Sequence, residues 1–78
     1  MKPNESVLDL PSISDAARAL LREVRFAGGR LTVSATFVAR GLALELRKAG
    51  YVHIGESGCD LRLTGFGQAY LDRLMRAH

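Results

Sequence analysis

One cysteine, two prolines and no tryptophan stand among the 78 residues of this chain, and it contains no long apolar run. Each scarcity removes a class of protein. Lone Cys59 makes neither an internal disulfide nor a multi-cysteine metal site, which agrees with a reducing compartment. No stretch approaches the roughly eighteen apolar residues of a membrane span. The opening Met1-Lys2-Pro3-Asn4-Glu5-Ser6 lacks the apolar core of a secretory signal, so a cytoplasmic location is expected. Catalytic patterns are equally scarce: no nucleophile with a base, carboxylate pair, metal cluster or phosphate loop has convincing spacing. Cys59 is separated from His53 by hairpin geometry, and Gly65 and Gly67 lack the rest of a dinucleotide fingerprint. The expectation is a non-enzymatic chain with no cofactor, no metal and no catalytic residues.

What is present is an ordinary globular composition, 47% hydrophobic and 24% charged. Length allows one domain with a small core, burying roughly 60–65% of the extended surface. Nine arginines and two lysines face eight acidic residues, for a formal charge of +3. That balance permits a polyanionic partner if the cations cluster on folding.

The prolines, Asn4, Ser6 and Asp9 interrupt any period up to residue 11, so 1–11 reads as a loose arm and 12–78 as one domain. Ser12 followed by Asp15 suits a helix N-cap. From there Ala16, Ala17, Leu20, Leu21, Val24 and Ala27 share one face, Arg18, Arg22 and Arg25 share the other, and Gly28-Gly29 is the stop. Arg30-Leu31-Thr32-Val33 alternates as a short edge strand. Over Ser34 to Ala49 the residues Ala35, Val38, Ala39, Leu42, Leu46 and Ala49 form an apolar stripe, ended by Arg47, Lys48 and Gly50. A two-residue turn at Ser57-Gly58 sets a hairpin pairing Val52 with Leu63 and Ile54 with Leu61 on one face. The opposite face then carries Tyr51 with Thr64, His53 with Arg62, and Gly55 with Asp60. Thr64 is a further N-cap, and Phe66, Tyr70, Leu74 and Ala77 recur at helical spacing after it. The fold class is α+β, in the order α-β-α(α)-β-β-α.

This order, with Leu46-Arg47-Lys48-Ala49-Gly50-Tyr51-Val52 ending one helix and Leu63-Thr64-Gly65-Phe66-Gly67 opening the next, resembles the winged-helix superfamily. The resemblance spans Ser12 to Leu74. It implies a small bacterial transcriptional-regulator-like module that lays the helix before the wing into the major groove of duplex DNA. One departure stands out. Winged-helix domains usually place two helices between the first strand and the hairpin, whereas Val33 to Gly50 has room for about one and a half. Either Ser34 to Ala39 forms a brief helix broken near Gly41, or the arrangement is a different α-β-α-β-β-α fold; 34–49 is one helix or two.

The resemblance directs attention to Thr36, Arg40, Ala43 and Arg47, with Arg30, Lys48 and Arg62 as phosphate contacts. The wing tip carries Glu56 and Asp60, which repel phosphates, so Arg62 with Tyr51 and His53 is its cationic, stackable part. A solvated helix face carries such charges too. The alternative use of the chain is protein interaction, as homodimer or adaptor without nucleic acid. For this Phe37, Gly41 and Leu44 on the second helix, and Leu71 with Met75 on the last, are the residues that helical spacing leaves outside the core. Burial of those helices on two sides accounts for the same pattern.

Overall fold

The structure is a computed structural model, and its described residues are 12–76, with side chains through Leu74. The arm at 1–11, Ala77 and the side chain of Met75 lie outside them. Three helices and a three-stranded antiparallel sheet follow one another as α1 (Asp15–Phe26), β1 (Arg30–Thr32), α2 (Phe37–Ala49), β2 (Val52–Ile54), β3 (Asp60–Leu63) and α3 (Gly65–Arg76).

The cap of α1 is Ser14, not Ser12: its Oγ accepts from the Ala17 amide at 3.2 Å. Tertiary contact decides between the two serines. Glu45 on α2 accepts from the Ser14 amide at 2.7 Å and from its hydroxyl at 3.0 Å, while Ile13 between the serines is buried. Asp15 consequently pairs with Arg18 at 3.0 Å instead of completing a capping box with Ser12. The helix stops at Phe26, and Gly28 and Gly29 both take positive φ, reversing the chain into β1.

The connection at 33–36 is non-helical, and α2 is a single helix running through Gly41. Thr36 Oγ1 accepts from the Ala39 amide at 3.1 Å, and Gly50 at φ 87° closes the other end. Two good caps offset the cost of roughly 1 kcal/mol for an exposed mid-helix glycine. The stripe expected on this helix is rotated: Ala43 and Leu46 are the buried pair, Leu42 and Ala49 pack beside them, Ala39 is half-buried, and Ala35 and Val38 are exposed. The fully buried side chains of α2 lie in its C-terminal half, so its first turn projects past the core.

The hairpin register is the expected one, Val52 with Leu63, His53 with Arg62 and Ile54 with Leu61. Its turn sits elsewhere. The Gly58 amide donates to the Gly55 carbonyl at 3.0 Å, placing Glu56 and Ser57 at the centre, with Gly58 at φ 83°. β1 pairs with β3, giving the sheet order β1-β3-β2 with β3 central. Leu31, Leu61, Val52, Ile54 and Leu63 face the helices; Arg30, Arg62 and His53 line up across the outer face.

Tyr51 departs from the alternation expected of it. It precedes β2, follows the left-handed turn at Gly50, and is fully buried, its ring stacked 4.4 Å from Tyr70 and tilted against Phe66 at 5.3 Å. Two short motifs meet here. Thr64 Oγ1 donates to the Gly50 carbonyl at 2.8 Å and accepts from the Gly67 amide at 2.8 Å, and the Thr64 amide donates to the Tyr51 carbonyl at 3.1 Å. At Gly67 a β-carbon would collide with that same carbonyl, whereas Gly65 has open space around it. Leu71 is 1% exposed and belongs to this core. It is not part of an exposed stripe, because α3 buries Tyr70 and Leu71 side by side.

Candidate nucleic-acid interface

Solvent-facing positions of α2 follow helical spacing: Phe37, Arg40, Gly41, Leu44, Arg47 and Lys48 are all exposed. At 100° per residue they occupy one stripe. Residues expected to serve two rival partners therefore share a single surface, with Phe37 (93% exposed) and Leu44 (52%) bordered by Arg40, Arg47 and Lys48. Of the other candidates on this helix, Ala43 is buried beneath the stripe and unable to reach a partner. Thr36 is committed to its cap, its hydroxyl oxygen holding the Ala39 amide.

Beside the stripe runs the hairpin. Arg40, Leu44 and Arg47 line one wall of a cleft of about 230 Å³, with Ile54, Gly55 and Gly58 on the other. Gly58 lies close to the Arg40 guanidinium: a β-carbon there would meet Nη2 at 3.6 Å. On the N-terminal side Ala35, Phe37, Arg40, Gly41 and Leu44 bound a second, more apolar depression of about 540 Å³.

The outer row of the sheet is the second cationic feature. The Leu63 amide donates to the Gly29 carbonyl and the Val33 amide to the Cys59 carbonyl, each at 2.8 Å, which makes Arg30 and Arg62 a non-hydrogen-bonded pair. That is the closer of the two antiparallel classes, with Cα atoms about 4.5 Å apart. Two exposed arginines thus stand directly opposite each other, with His53 next to Arg62 on the far strand. The sequence marks Arg30 and Arg62 as phosphate contacts and places Arg62 beside His53, but carries no signal that Arg30 stands opposite Arg62, because the partner of a three-residue strand is a tertiary fact. Tyr51, expected to stack from this row, is in the core.

The first helix carries its arginines differently. Arg18 pairs with Asp15 and its Nε donates to the Tyr70 hydroxyl at 3.4 Å. That contact, with the nearby acid, holds the guanidinium above its ordinary pKa. Arg25 pairs with Asp72 at 3.1 Å. Among the described residues, Arg30, Arg40, Arg47, Lys48 and Arg62 form no ion pair. Also among the described residues, no group of three or more potential ligands is placed to hold a metal, and no helix is long and apolar enough to cross a membrane. Compared with protein-family models, curated proteins and solved structures, the chain matches none.

Proposed function

We propose that this chain is a winged-helix-like module that binds duplex DNA, with the exposed face of α2 in the major groove and Arg30 and Arg62 on flanking phosphates. The observation that carries the reading is charge segregation. Asp15 and Asp72 are spent on Arg18 and Arg25, and Glu45 on Ser14, whereas the cations of α2 and of the outer sheet row have no ion-pair partner among the described residues. Unpaired guanidinium groups suit both phosphates and guanine edges. Arg40 and Arg47 stand two turns apart, about 10 Å along the helix axis, a separation spanned by about three base-pair steps. Glu56, exposed at the hairpin turn, and Asp60, at the start of β3 on the same face as Arg62, repel phosphate, so backbone contacts are assigned to the Arg30–Arg62 end of the sheet row and not to the turn.

A protein-binding role without nucleic acid is the second reading, favoured by the exposure of Phe37 and Leu44 on that same stripe. Self-association through it would bring Arg40 and Arg47 of two copies together, a like-charge seam that opposes docking. Fluorescence anisotropy of a labelled mixed-sequence duplex, at low and at physiological salt, separates the two readings. Salt-sensitive binding at micromolar or better affinity, lost in Arg40→Ala/Arg47→Ala, is the expected result. No binding at low salt overturns the DNA reading. Concentration-dependent sedimentation abolished by Phe37→Ala/Leu44→Ala then supports the second.

A further inference from the structure

The α2 stripe combines groups that a purely phosphate-binding surface does not need. Phe37 is almost fully exposed, Leu44 is half exposed, and Gly41 between them has nothing within 4 Å of where a β-carbon would sit. Together with Ala35 and Arg40 they bound an apolar depression of about 540 Å³. Its charge surroundings are one-sided, since Arg40 and Arg47 flank the apolar line and Lys48 follows it. A partner matching this pattern presents apolar groups within a few ångströms of dense negative charge. The major groove of duplex DNA does so wherever thymine projects its 5-methyl group between two phosphate backbones.

We infer that Phe37 and Leu44 read thymine methyl groups, making them specificity-determining residues that select thymine-bearing sites in the major groove. The inference rests on the DNA reading above and deepens it. Phe37 and Leu44 are two helical turns apart, about 10 Å along the axis. Each therefore meets a different base pair, about three steps from the other's. The depression around Gly41 is open enough for a methyl group to approach the helix backbone between them. Arg40 and Arg47, also two turns apart on the same stripe, hold the helix in the groove while the apolar pair discriminates. A methyl removed from water contributes about a fourfold gain in affinity.

The test compares two duplexes of one thymine-rich sequence, the second with every thymine replaced by deoxyuridine, which removes the methyl and preserves the base pair. Anisotropy titrations use the full chain and Phe37→Ala/Leu44→Ala, whose altered side chains are exposed, with circular dichroism confirming that the variant folds. The wild type is expected to bind the thymine duplex roughly fourfold more tightly for each methyl contacted. The variant is expected to bind both duplexes alike and to keep its salt dependence. Equal wild-type affinity for both duplexes, or a preference that survives in the variant, overturns the methyl reading while leaving DNA binding in place. Failure to bind either duplex overturns both.

Discussion

A β-carbon at position 67 would collide with the Tyr51 carbonyl oxygen and lie 2.9 Å from Leu63 Cδ1, and the backbone oxygen cannot swing aside. Gly67→Ala is therefore expected to lower stability by about 1–3 kcal/mol, the usual cost of forcing atoms into a packed site. Gly65→Ala, with open space around it at the start of α3, is expected to change stability by less than about 1 kcal/mol, in the favourable direction. Urea denaturation of the two variants checks the contrast, and coincident midpoints would refute it. The carbonyl belongs to a tyrosine whose burial, with a smaller push from Tyr70, raises its phenol from 10.0 to about 12. Between those two pH values the unfolded chain has released the Tyr51 proton and the folded chain retains it, so the folded state binds more protons and stability falls as pH rises. Below pH 10 this group contributes no slope. Stability measured across pH 10 to 12 should decline in the wild type and decline less in Tyr51→Phe, which keeps the ring stack and has no proton to lose. Equal slopes in the two proteins would dismiss the tyrosine as the cause.

At the scale of elements, α2 is specified by its ends. Thr36→Ala removes the side-chain acceptor for the Ala39 amide and is expected to cost about 1 kcal/mol of stability. Because the hydroxyl oxygen is turned to the cap, DNA affinity of the folded variant is expected to match the wild type in anisotropy titrations. A large loss of affinity at unchanged stability would return Thr36 to the interface. This division also explains how much was legible beforehand. The Gly50 cap, the Thr64 cap and the register of Val52, Ile54, Leu61 and Leu63 depend on local pattern and came through intact. The hairpin turn was misplaced by one residue without disturbing that register, since alternation and not the turn carries it. Tyr51 and Leu71 depart from their expected exposure for different reasons. Tyr51 lies outside β2, after a left-handed glycine, so strand parity does not govern it. Leu71 lies on the one buried face of α3, which runs through Gly67, Tyr70, Leu71 and Leu74 at i, i+3, i+4 and i+7, whereas the stripe expected from Phe66 is turned by one residue and leaves Phe66 43% exposed. On the candidate site, Arg40, Arg47, Phe37 and Leu44 were readable from helical spacing. That rival partners would compete for one face became evident only with the buried line fixed at Ala43 and Leu46.

For the molecule as a whole, the proposed DNA role of the outer sheet row would set stability against binding. Arg30 and Arg62 form a close cross-strand pair of like charge with no acidic partner among the described residues. A pair of this kind destabilises a sheet by about 0.2–1 kcal/mol. Threonine favours strands and carries no charge. Arg62→Thr is accordingly expected to raise the denaturation midpoint slightly. If the arginine contacts phosphate, the same change weakens duplex binding and lowers the slope of log affinity against log salt by about 0.9. The two effects have one cause, since the repulsion removed from the free protein is what a bound phosphate would otherwise screen. Opposite movement of stability and affinity is the signature of a surface held ready for an anion. Should stability fall or the salt slope stay unchanged, the row is a solvated sheet face, and DNA contacts would have to come from α2 alone.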